Sequence, residues 1–151
     1  FNFGAKQYDR VDRVLKLTIC YATLVMTTGF FIGEFLPELA SKAFTSTDEL
    51  IRISTKGMRI AFTFFPIIGF QMVTSNFFQS IGMAGKAIFL SLTRQLLFLL
   101  PCLIVLPLFM GGDGIWWSMP VSDLLASVVA SFLLIHQFRT FNAHKATSIN
   151  G

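Results

Sequence analysis

Charge is what this sequence has least of. Asp, Glu, Lys and Arg make up 13% of its 151 residues, about half the roughly 25% of an average soluble domain. Cysteine is nearly absent as well. Cys20 and Cys102 both sit inside apolar runs with no C-x-x-C pair, which argues against a disulfide scaffold and a thiolate metal site. His136 and His144 have no metal-ligand partner at a useful spacing. Gly-rich phosphate loops, a G-x-S-x-G elbow and paired carboxylates on one helix face are missing. No residue set for enzyme chemistry, for a resident cofactor or for a metal is therefore expected. No basic stripe interleaved with aromatics lies in an aqueous stretch, so nucleic acid is not an expected partner.

What the sequence has instead is hydrocarbon. Apolar residues reach 54%, Phe alone contributes 18, and the mean hydropathy is +0.67. This composition excludes intrinsic disorder and a typical cytosolic enzyme. The charges are also segregated. Residues 60–138 contain only Lys86, Arg94, Asp113 and Asp123. A soluble protein needs charge along every exposed face, whereas a membrane protein needs it only where its ends meet water. The expected fold class is an all-α integral membrane protein.

Four segments are long and apolar enough to span: 15–36, 58–81, 87–110 and 115–138. At about 1.5 Å per residue each crosses a hydrocarbon core of about 30 Å with modest tilt. Residues 1–14 then form a cytoplasmic loop, 37–57 an outer loop with a short helix, and 139–151 a cytoplasmic tail. Gly82-Met83-Ala84-Gly85 and Gly111-Gly112-Asp113-Gly114 read as tight antiparallel links. Pro37-Glu38 suits a first helical turn, and Ser46-Thr47-Asp48-Glu49 has capping-box spacing. A helix is expected from about Ser46 or Thr47 straight into the second span.

Basic residues set the expected orientation. Lys6, Arg10, Arg13, Lys16, Lys86, Arg94, Arg139 and Lys145 fall on one side, and Lys42, Arg52, Lys56 and Arg59 on the other. Eight against four favours both ends of the chain in the cytoplasm.

Polar groups inside spans either join helices or face a wet cavity. The second span carries Gln71, Thr74, Ser75, Asn76, Gln79 and Ser80, with Gln71, Ser75 and Gln79 four apart on one stripe. Pro66 and Gly69 precede them, and Pro66 is expected to bend the helix. The stripe suits a solute path, and interhelical hydrogen bonding is the plainer alternative. Asp123 lies about two turns into the fourth span, with Ser127 and Ser131 on its face and a small-residue stripe, Ser122, Ala126 and Ala130, beside it. It reads as a proton or cation site, or as half of a structural ion pair. By depth, Arg94 is placed near the cytoplasmic end and Asp123 nearer the outer end, so Arg94 is expected to snorkel rather than pair. Gly29 and Gly33 form a G-x-x-x-G packing motif, and Trp116 and Trp117 an interfacial belt.

Phe1-Asn2-Phe3-Gly4-Ala5-Lys6, followed by Tyr8 and Arg13, resembles the G-(Y/F)-N-(Y/F)-G-A cytoplasmic loop of MATE multidrug exporters. Gly69-Phe70-Gln71-Met72-Val73 with Asn76-Phe77-Phe78-Gln79-Ser80-Ile81-Gly82 resembles a helix of that family with a G-x-Q start and an F-Q-(A/S)-x-G end. Gly114-Ile115-Trp116 with Pro120 and Asp123 is similar to the start of its last helix. The match runs over nearly the whole chain.

The resemblance implies a twelve-helix protein of two six-helix lobes that rock to alternate access, exchanging drugs or organic cations for H⁺ or Na⁺ across the plasma (inner) membrane. This chain would hold helices nine to twelve, and the lack of an initiator Met at Phe1 agrees with a fragment. Its partners would be the remaining eight helices, membrane lipids and the transported drugs. Some members carry an acid in the tenth helix, but the second span here has none, which leaves a C-lobe Na⁺ site of that kind without its carboxylate. Gln71, Asn76, Gln79 and Asp123 are the candidates for the substrate and ion pathway, with Pro66 and Gly69 for helix bending. The alternatives are a lipid-linked saccharide flippase of the same superfamily and a non-transporting four-helix scaffold subunit.

Overall fold

The computed structural model describes the backbone of residues 1–149 and the side chains of residues 1–141. Among these every regular element is helical: α1 (Tyr8–Phe35), α2 (Pro37–Lys42), α3 (Asp48–Phe62), α4 (Phe65–Ser80), α5 (Ala84–Leu92), a π-helical segment (Thr93–Leu99), α6 (Leu100–Met110) and α7 (Gly112–Ile149). Three stretches are long and apolar enough to cross a membrane: Tyr8–Phe35, Ala84–Met110 and Gly112–Phe141. The α3–α4 pair, bent by 55° at its break, makes a fourth only when its two helices are counted as one span.

The bend expected at Pro66 is present, and it divides the second span into two helices. Thr63 and Phe64 separate α3 from α4, and Pro66 sits in the first turn of α4. There its missing N–H costs nothing, because first-turn donors have no intrahelical acceptor. The helix start upstream falls where expected, but without the capping bond. Thr47, not Ser46, occupies the N-cap of α3.

The third crossing is not a uniform α-helix either. Pro101 follows the π segment and has no N–H to return to Leu97. The winding loosens ahead of it, and the Leu100 N–H donates to the Gln95 carbonyl, five residues back. Gly82 and Gly111 end their helices at φ 79 and 61, a region that side chains disfavour. The link after Gly111 is tighter than the four-residue loop expected, since α7 begins at Gly112.

Helix α4 lies between α1 and α7, and α7 also packs along the π segment and α6. The apolar core gathers at the Gly82 end, around Phe78, Leu90, Leu15, Ala130 and Leu134. Phe3, Tyr8, Phe138 and Phe141 close it with ring contacts of 5.1–6.1 Å, so the leading segment is fixed against the far end of α7. Helix α6 buries none of its residues within the chain, and the helices display Leu24, Val25, Leu97, Ile104, Phe109 and Phe132 outward. That surface is matched to lipid or to further helices.

Glycine lets α1 approach the bend. A methyl on Gly33 would overlap Phe62, and one on Gly29 would meet Phe65 at 3.1 Å. The two phenylalanines stack at 3.9 Å between ring centres. The G-x-x-x-G face of α1 is thus the seat of the α3–α4 elbow. Gly69 serves the same contact one level along, with the Ala22 carbonyl oxygen only 3.0 Å from where its Cβ would stand.

Candidate functional site

The structure distributes the residues singled out above over four places. Gln71 is 4% exposed and its side-chain carbonyl has no hydrogen-bond partner. Ser75, one turn along, approaches the Ala87 carbonyl at 3.4 Å and the Ser91 hydroxyl at 3.5 Å, which joins α4 to α5. Gln79, at the end of the same stripe, is exposed. Thr74 is fully buried, and its hydroxyl donates to the Phe70 carbonyl at 2.8 Å.

Asn76 points elsewhere. It lines a cleft of about 390 Å³ between the leading segment, α1 and α4, together with Phe3, Thr18 and Ser80. Pro66 borders a separate groove with Thr23, Phe70, Ser127 and Ser131, between α1, α4 and α7.

Asp123 is 3% exposed and pairs with Arg94, whose Nε donates to Oδ1 at 2.6 Å. This corrects the expectation that the two lie too far apart in depth. The reason is register. Gly114 abuts the Leu106–Pro107 backbone so closely that no side chain would fit between. Counting back from that contact, Arg94 is twelve residues along one helix and Asp123 nine along the other. A difference of three residues is about 4.5 Å at ~1.5 Å per residue, within the reach of an arginine. The early start of α7 and the π winding at Arg94 both contribute, and neither is visible in a hydropathy profile.

Around Asp123 the small residues of α7 let the helices close. Ser118, Ser122, Ala126 and Ala130 are at most 1% exposed. Ser118, Ser127 and Ser131 return their hydroxyls to carbonyls one turn back, at 2.6–2.8 Å. These serines are satisfied by their own helix and leave Arg94 as the partner of the Asp123 carboxylate. An ionised carboxylate away from water needs such a partner. Arg94 keeps 37% of its side chain exposed, so its end of the pair reaches the surface of the described chain.

Two further polar arrangements were not anticipated. Lys86 donates to Gln137 Oε1 at 2.6 Å and stands 5.3 Å over the Phe78 ring, pinning α5 to α7 at the Gly82 end. At the other end Lys56 meets both Asp113 oxygens at 2.6 Å. The only sequence signal for either was an isolated charge beside a predicted turn. Among the described residues no cluster of His, Cys, Asp and Glu could hold a metal ion.

Three to four apolar crossings, an elbowed helix and a charge pair inside the bundle describe part of a multi-pass membrane protein. The MatE family model matches residues 1–105. The structure also superposes with a TM-score of 0.84 on the MATE multidrug transporter DinF-BH, solved in complex with a dye, at 34% identity over 93% of this chain and 31% of that one. A second solved chain, named only as protein A, matches with the same score, identity and coverage. No curated protein matches. The chain belongs to the MatE family, and it spans about a third of the length of the solved structures it matches.

Proposed function

We propose that this chain is the last third of an exporter of drugs or organic cations, driven by exchange for H⁺ or Na⁺ through alternating access. It forms four helices of the C-terminal lobe and works with eight more. The observation that carries this is the ion pair inside a MatE-family bundle. A buried acid whose charge is held by one arginine can change occupancy when that arginine moves. On this reading, Asp123 takes a proton or cation in one state of the cycle and is returned to Arg94 in the other. Gln71, Asn76 and Gln79 contribute polar surface to the pathway. The elbow at Thr63–Phe64 beside Pro66, with Gly69 seated on α1, gives α4 a place to swing. Both ends of the chain face the cytoplasm of a plasma-membrane protein.

A flippase for lipid-linked saccharides is less well supported, because the cation deepest in a span, Arg94, is already engaged by Asp123. The test is export of a cationic dye by cells carrying the full-length transporter. Asp123→Asn is expected to abolish export at unchanged expression, and normal export by that variant removes Asp123 from the mechanism. Orientation is read separately: a membrane-impermeant maleimide should label a cysteine placed at Asp113 from outside and leave one placed at Ala5 unlabelled.

A further inference from the structure

A cleft of about 680 Å³ opens at the Gly111 end between α2, α3 and the start of α7, lined by none of the pathway residues. Its cations come mainly from one face of α3, where Arg52, Lys56 and Arg59 recur at i, i+4 and i+7. Lys56 is engaged by Asp113 and Lys42 by Glu38, each at 2.6 Å. Asp48, the remaining acid of the cleft, adds its pull to Lys42. Arg52 and Arg59 make no ion pair among the described residues. On the same face, the Thr55 hydroxyl oxygen is buried without a hydrogen-bond partner. Two unpaired guanidinium groups and a spare hydroxyl form a donor set for a phosphate, whose oxygens match the arginine fork.

The surroundings select which phosphate. The α2–α3 region displays Leu36, Leu39, Phe44, Leu50 and Ile53 outward, and Trp117 lines the cleft. A basic helix face with an apolar flank and a neighbouring tryptophan is the pattern of a helix lying at the membrane interface. We propose that this cleft is a binding site for the headgroup phosphate of an anionic phospholipid, held by Arg52 and Arg59 with the Thr55 hydroxyl as a third donor. A free phosphate would gain nothing from the apolar flank, whereas a lipid buries its chains there. The site stands whether or not the protein exports drugs, and on the orientation above it belongs to the outer leaflet.

Native mass spectrometry of the full-length transporter tests it, with phosphatidylglycerol, phosphatidylcholine and inorganic phosphate as the probes. Phosphatidylglycerol should be retained in preference to phosphatidylcholine. The Arg52→Gln/Arg59→Gln variant should bind it about thirtyfold more weakly, at roughly fivefold per basic residue lost near a membrane surface. Arg52→Lys/Arg59→Lys keeps the charge and should recover part of that loss, and Thr55→Val, which leaves both arginines, should weaken binding by a smaller factor. If the Gln variant does not fold, the Lys and Val variants carry the test. Undiminished phosphatidylglycerol binding in the folded variants overturns the site. Displacement of the lipid by inorganic phosphate alone, or equal retention of the two lipids, overturns the assignment to a lipid.

Discussion

The Phe62 ring occupies the space that a side chain on Gly33 would need. The elbow between α3 and α4 therefore depends on a missing methyl group in a different helix. Gly33→Ala should destabilise the transporter by about 1–3 kcal/mol, the usual cost of overpacking. Thermal melting in detergent reads this directly. Combining it with Phe62→Ala should restore part of the loss, and an unchanged melting point for Gly33→Ala would mean that the elbow moves aside freely.

Arg94 and Asp123 should behave as a unit in a double-mutant cycle. Removing either partner alone leaves a charge without compensation. Full burial makes that cost about 3–5 kcal/mol, and the partial exposure of Arg94 brings the expectation down to about 1–3 kcal/mol. The Arg94→Gln/Asp123→Asn double variant should lose less than the sum of the two single losses, as measured by melting, yet still fail to export. Additive losses would show that the pair contributes no coupling.

Gln71 separates packing from transport. Its carbonyl is buried and unpartnered, so Gln71→Leu removes an unsatisfied acceptor and should leave the melting point unchanged or raised. If Gln71 serves the pathway, dye export should fall severalfold all the same. Full export together with higher stability would make the residue purely structural.

The exposed pair at the Gly111 end should matter little. Lys56→Ala should cost less than about 1 kcal/mol, because exposed ion pairs contribute little beyond their desolvation and ordering. Its neighbour should matter more. A Cβ on Gly57 would stand 2.6 Å from Trp116 ring atoms, so Gly57→Val should lower the melting point and shift the tryptophan emission. Equal effects from the two substitutions would contradict this contrast.

The spans were legible because lipid imposes a length and an apolarity that composition records directly. The family was legible because the 1–6 segment and the 69–82 segment keep their order and spacing. What the sequence did not disclose depends on register. Nothing local says that α7 begins at Gly112, that Pro101 is preceded by π winding, or that Gly114 seats on Leu106. Those three features bring Arg94 to Asp123, and a depth count over idealised helices separates the two residues. Gln71, Asn76 and Gln79 show a similar limit. Their spacing places Gln71 and Gln79 on one helical stripe, but which side is covered is decided by how α1, α5 and α7 pack around α4. Gln71 is enclosed as a result, while Asn76 and Gln79 are left open.

The ring cluster of Phe3, Tyr8, Phe138 and Phe141 brings the leading segment beside the far end of α7. The path from residue 3 to residue 141 thus starts and finishes at one spot, like a handle attached at a single point. A unit of that shape can be cut out and grafted between related proteins, or rejoined in a new order, with only short connections to rebuild. Chimaeras exchanged at this junction should insert and fold more readily than ones cut at the Gly82 or Gly111 turns.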